Sequence, residues 1–119
     1  MLDSEVWEIG VNGNEIWLAR GRGIEMFNTK TGKWTPYLSI LYGEHRALSI
    51  LPSDSIVWVG TEGGLVKFDR DLNRWVTFTT DDGLPHNRVE HIEIEGDYLW
   101  LATPGGLCRF YWNDPYRLD

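Results

Sequence analysis

A tryptophan recurs along this chain at nearly fixed intervals, at Trp17, Trp58 and Trp100, with spacings of 41 and 42 residues. Seven tryptophans in 119 residues allow such spacing by chance, so the neighbouring positions decide. Counting forward from each anchor, position +2 is small (Ala19, Gly60, Ala102) and +6 is glycine (Gly23, Gly64, Gly106). Position +7 is Ile24, Leu65 and Leu107, and +10 is Phe27, Phe68 and Phe110. Counting backward, −8 is Ile9, Ile50 and Ile92, and −11 is Val6, Ala47 and Val89. At +17, Trp34 matches Trp75, whereas the third copy carries Arg117. A register held across so many offsets is a true internal repeat, which restricts the fold to stacked, equivalent units.

Each copy reads as four short strands. The first carries the −11, −8 and −6 apolar set, such as Val6, Ile9 and Val11, or Val89, Ile92 and Ile94. The second holds the anchor: Ile16-Trp17-Leu18-Ala19, Val57-Trp58-Val59-Gly60 and Leu99-Trp100-Leu101-Ala102. These runs are apolar on both faces, as in a strand sandwiched between two packed sheets. The third strand begins at the +6 glycine, whose place in a tight hairpin calls for a positive φ. The fourth spans 33–38 and 74–79, and its third copy is cut short at 115–118. A strand-only repeat of this length predicts an all-β fold of β-propeller blades, about three four-stranded antiparallel sheets per chain. The expectation is a single propeller domain over 1–119, with blades at 5–39, 46–80 and 88–119.

Slightly fewer than three blades do not close a ring. The end blades would show water strands that are apolar on both faces, which invites association. Two routes to closure are open: identical chains complete the ring, with a six-bladed homodimer favoured, or the chain is a piece of a longer one. Trp7 and Trp112 fall outside the repeat, their equivalents being Leu48 and Glu90, and Thr29 and Arg70. They are candidates for a chain-to-chain interface.

Composition excludes several functions. The net charge of −7, with no run of Lys and Arg, argues against nucleic acid as a partner. No apolar run approaches the length of a membrane span. The single cysteine, Cys108, allows no intrachain disulfide and reads as a buried structural thiol. His86 and His91 lack enough convergent ligands for a metal site, and no cofactor is expected. Asp81-Asp82, and Asp69 with Asp71, lie in turns, and no nucleophile elbow, zinc-protease or phosphate-loop motif is present. The chain therefore reads as a binding or assembly module. The loops before the first strand and those between the second and third share one face of a propeller. There they would gather Arg20, Arg22, His45, Arg46, Glu62, His86, Asn87 and Arg88, a candidate site for a small ligand or a protein. The alternative is a propeller lyase or hydrolase with its site on the same loops.

The segment Gly83-Leu84-Pro85-His86-Asn87-Arg88-Val89, running on to Leu99-Trp100-Leu101-Ala102-Thr103-Pro104-Gly105-Gly106-Leu107, resembles the two-component regulator propeller repeat. Trp58-Val59-Gly60-Thr61-Glu62-Gly63-Gly64-Leu65 matches the central portion of that repeat. The first copy departs from it, with Arg20 in place of Thr. The resemblance implies a ligand-sensing propeller from bacterial sensor proteins, commonly of seven blades. The N-terminus shows no signal peptide, so the expected compartment is the cytoplasm, or the periplasm if the chain is part of a sensor.

Overall fold

The computed structural model describes residues 6–21, 23–38, 43 and 45–113. Strands β1 (Val6–Asn12), β2 (Glu15–Arg20), β3 (Gly23–Asn28) and β4 (Trp34–Leu38) form one antiparallel meander. Strands β5 (Ala47–Pro52), β6 (Ile56–Thr61), β7 (Gly64–Asp69) and β8 (Arg74–Phe78) form a second. Strands β9 (His91–Glu95), β10 (Tyr98–Thr103) and β11 (Gly106–Tyr111) form the third. Its expected fourth strand, at 115–118, lies outside the described residues. The three sheets stack as propeller blades, with β1, β5 and β9 innermost and in contact from blade to blade. The one helical element among the described residues is a 3-10 turn, Thr80–Asp82, between the second and third blades.

Two joints hold the stack. In the first, Trp17, Ala19 and Ile24 of blade one bury against Ile50, Val57, Val59 and Phe68 of blade two. In the second, Trp58, Leu65 and Phe78 of blade two bury against Ile92, Leu99, Leu101 and Phe110 of blade three. Blade two is therefore apolar on both faces because both are covered, whereas blades one and three each cover one face of it. At the lower edge of the first joint, Arg70 forms a two-pronged ion pair with Glu15 at 2.7 and 2.8 Å. The same guanidinium lies 5.2 Å from the centre of the Trp17 ring. It holds the Glu15 carboxyl below the usual carboxylate range, so this cross-blade tie is present near neutral pH and is lost as acid protonates Glu15.

The repeat motif has a local cause. Thr61 Oγ1 donates to the Gly64 carbonyl at 2.9 Å and accepts from the Gly63 N–H at 3.0 Å. Thr103 repeats both bonds with Gly106 and Gly105, at 2.8 and 3.1 Å. The threonine thus closes the hairpin, and the following glycine takes φ +141° at Gly64, a conformation that L side chains rarely adopt. A Cβ on Gly64 would also run into the Phe78 carbonyl. Blade one has Arg20 in place of the threonine, and Arg20 forms a buried ion pair with Glu25 at 3.1 Å.

The connection between blades two and three is equally ordered. Thr79 and Asp82 cap the 3-10 turn reciprocally, and Gly83 leaves it in the left-handed region. Leu84 plugs the second joint. Asn87 Oδ1 accepts from the Thr80 N–H at 2.8 Å. Val89 was expected in the first strand, but β9 starts at His91. The Val89 N–H instead donates across the joint to the Thr61 carbonyl at 2.9 Å. That approach explains the small residue at +2, since a Cβ on Gly60 would meet Ser49 Oγ and the Val89 carbonyl.

Two substitutions at this joint separate packing from approach. Trp58→Ala removes a buried ring and should lower unfolding free energy by about 3–5 kcal/mol. Gly60→Val overfills the same joint and should cost about 1–3 kcal/mol. Urea unfolding followed by tryptophan emission measures both. A Gly60→Val protein as stable as the parent would show that Val89 does not sit where the structure places it.

Candidate functional site

The connections into the first strands and the hairpins between second and third strands meet at one end of the blades. The Glu62 N–H donates to the Arg46 carbonyl at 3.1 Å, which ties the β6–β7 hairpin to the entry of β5. Side chains continue the link. Glu62 Oε1 lies 3.6 Å from Arg46 Nε and 3.6 Å from Arg88 Nη1, and Arg88 Nε lies 3.5 Å from Glu90. The result is a chain of alternating charge, Arg46–Glu62–Arg88–Glu90, running across blades two and three.

Of the sequence candidates, this chain brings together Arg46, Glu62 and Arg88. His45 stands beside it, with its imidazole over Gly63, where a Cβ would collide with the ring. Asn87 is committed to the 3-10 turn. His86 is exposed, and its Nδ1 accepts from the Arg88 N–H at 3.0 Å, which shapes the loop. Arg20 is turned inside, paired with Glu25. Arg22 lies outside the described residues.

A feature absent from that set lies at the axis. The register of β1 slips between Val6 and Glu8, and that of β5 slips between Ala47 and Ser49. The slipped residues are Trp7 and Leu48, which occupy the same repeat position, as does Glu90. A bulge re-aims the side chain it carries. All three residues, with Glu8 and Arg88, line a pocket of about 230 Å3. Trp7 is partly exposed, and the Arg46 guanidinium lies 5.0 Å from its ring centre. A signal was visible in the sequence, because this position carries Trp, Leu and Glu in the three copies while the apolar positions at −11 and −8 repeat.

Behind this pocket, His91 joins blade three to blade one. Its Nδ1 lies 3.2 Å from Glu8 Oε1 and its Nε2 lies 2.9 Å from Glu93 Oε1. A neutral imidazole has one N–H, so only the imidazolium donates to both carboxylates. The Glu93 hydrogen bond, with Glu8 adding its charge, pushes the His91 pKa above the ordinary imidazole value. No group of three or more metal-ligating side chains gathers among the described residues.

The opposite edge of the blades is apolar. Leu51, Pro52, Ile56, Trp58, Ile94 and Trp112 line a cleft of about 270 Å3 between blades two and three. Trp112 donates its indole N–H to the Gly96 carbonyl at 3.0 Å and meets Trp58 edge-on at 6.1 Å. The Trp112 backbone N–H bonds to Asp97 just as that of Arg70 bonds to Ser55. Trp112 therefore covers the Trp58 anchor as Arg70 covers Trp17, within one chain. Among the repeat residues, Trp17, Trp58, Phe68 and Phe110 are buried. Phe27 is half-buried against Trp34. Trp100 is also half-buried, with the Arg109 guanidinium 5.8 Å from its ring centre. Cys108 is half-buried at the second joint, and desolvation raises its thiol pKa, which keeps thiolate scarce.

Solved structures share this architecture. The extracellular domain of BT3049 of B. thetaiotaomicron, described as a hybrid two-component system, matches 95% of the chain at 24% identity with a TM-score of 0.82. The extracellular domain of BT4673 of the same organism, described as a one-component system, matches 92% at 17% identity and 0.76. PorZ, a surface component of the type-IX secretion system of Porphyromonas gingivalis, matches 89% at 18% identity and 0.69. The chain spans only 16–17% of the length of these structures. At these identities the likeness establishes the fold. No protein-family model matches the chain, and no curated protein matches it significantly.

The His91 arrangement fixes the sign of a pH effect. A raised folded pKa means its stabilisation is complete below the ordinary imidazole pKa and is lost as pH rises through the folded value. Both partners are solvated, so the effect should be about 0.5 kcal/mol, the scale of an exposed pair. His91→Gln should flatten the fall in unfolding midpoint between about pH 6 and 8, the range where imidazole titrates. An identical pH profile in the variant would remove His91 from this role.

Proposed function

We propose that this chain is a non-enzymatic β-propeller module for recognition and scaffolding, which associates with a second copy of itself to cover the end faces of its blades. One comparison within the repeat carries the reading. Ile50 and Ile92 are 4% exposed, but their blade-one equivalent Ile9 is 58% exposed. Ile24 and Leu65 are fully buried, but their blade-three equivalent Leu107 is 72% exposed. Leaving such a side chain in water forgoes about 1.5–3 kcal/mol of burial. Val11 and Trp34 extend the bare row on blade one, and Ala102 extends the one on blade three. These two surfaces are the opposite halves of a single repeated joint. Blade three of one copy therefore fits blade one of the next, a head-to-tail contact that closes a six-bladed ring from two chains.

Recognition is supported by the loop face. Its carboxylates are engaged with Arg46, Arg88 and His91, which suits a binding surface more than an acid–base pair. The similar structures from B. thetaiotaomicron are extracellular domains of signalling proteins, which favours a sensory role outside the cytoplasm. Their greater length favours a second reading, in which neighbouring blades of a longer chain supply the same cover.

Light scattering tests the assembly. The parent should show twice the 13.8 kDa chain mass. Leu107→Glu and Ile9→Glu should each return it to a single chain with β-sheet circular dichroism intact. A parent that is monomeric, folded and soluble would sink the self-association reading.

A further inference from the structure

We infer that the axial pocket takes an organic cation on a short apolar stem, a guanidinium or alkylammonium group, either free or carried on the side chain of a partner. This rests on reading the loop face as a recognition surface. The pocket is built around a repeat position that carries a different residue in each blade, Trp7, Leu48 and Glu90, and bulges in β1 and β5 aim Trp7 and Leu48 into it. Those two side chains give an aromatic face and an aliphatic wall, and Glu8 and Glu90 add two carboxylates, which also face His91 at 3.2 Å and Arg88 at 3.5 Å, with Arg88 completing the lining. An indole face with nearby carboxylates and a low volume is the chemistry that selects such cations.

The structure already holds a guanidinium at this face. Arg46 lies 5.0 Å from the Trp7 ring centre. Its side chain is 46% exposed, and its contact with Glu62 is 3.6 Å, longer than a charge-assisted hydrogen bond. Exposed pairs of this kind are weak, so an incoming cation displaces Arg46 at little cost while Arg46 keeps Glu62. An anion is less well served. The position between Arg46 and Arg88 is already filled by the Glu62 carboxylate, and Arg88 also faces Glu90. The net charge of −7 draws cations to the chain as a whole.

The test is a titration of 15N-labelled protein with agmatine, following the indole N–H signal of Trp7, with glutarate and 1,5-pentanediol as anionic and neutral probes of similar length. Agmatine should move the Trp7 signal saturably, and the other two should not. Glu90→Gln and Glu8→Gln should each weaken agmatine by about tenfold, the scale of one lost charge-assisted contact. Competition by the tripeptide Gly-Arg-Gly would assign the site to a partner's side chain, and its failure would assign it to free amines. A shift with glutarate alone, no shift with agmatine, or equal agmatine binding in both variants would overturn the proposal. Particle mass measured on the same samples keeps the assembly reading separate. A monomer that still binds agmatine sinks only self-association, and a dimer that ignores agmatine sinks only the cation site.

Discussion

Everything in this molecule depends on a sheet that is apolar on both faces having a neighbour on each side. Blade two meets that condition within the chain, through Trp17 and Ile24 on one side and Leu99, Leu101 and Phe110 on the other. The joint is specific because it is asymmetric. One side offers an indole and a small +2 residue, and the other offers branched aliphatics and a phenyl ring. Close packing rewards that complementarity and penalises a shift of register.

The joints also set where functional groups can stand. Threonine-closed hairpins and the capped 3-10 turn hold their backbone with local hydrogen bonds, which frees the intervening side chains to vary. Glu62 sits between Thr61 and Gly63 in such a hairpin, and Arg88 sits between Asn87 and Val89 in such a connection. Each is held by neighbours that do structural work. The charged chain at the loop face and the pocket beneath it are thus variable residues on a fixed frame, the arrangement in which binding surfaces are usually built.

Much of the fold was legible because the repeat is a packing code. The anchors, the +6 glycines and the apolar −8 positions each have one physical job, so their spacing gave strand order and blade number. The site was less legible. Arg20 looked like a loop cation, but Glu25, a partner found only in blade one, draws it inside. Asn87 looked like a ligand group, but its carbonyl oxygen holds the 3-10 turn. Trp112 stood out as an exception to the repeat, but spacing does not show that its indole N–H reaches Gly96 and its ring meets Trp58. Trp7 was visible as an exception to the repeat, yet its orientation depends on a bulge that spacing alone does not show.

The sequence by itself determined that these residues form equivalent antiparallel strand meanders with a double-sided core, because periodicity 2 within strands and a period of 41–42 between anchors admit little else. The tertiary structure alone decided which loops meet. Arg46 and Glu62 are held together by a backbone bond across a hairpin, and Glu8 and His91 by the convergence of inner strands from different blades. Contacts of that kind depend on how blades are turned against one another. That rotation is set by packed volumes at the joints, to which local sequence patterns carry no direct signal.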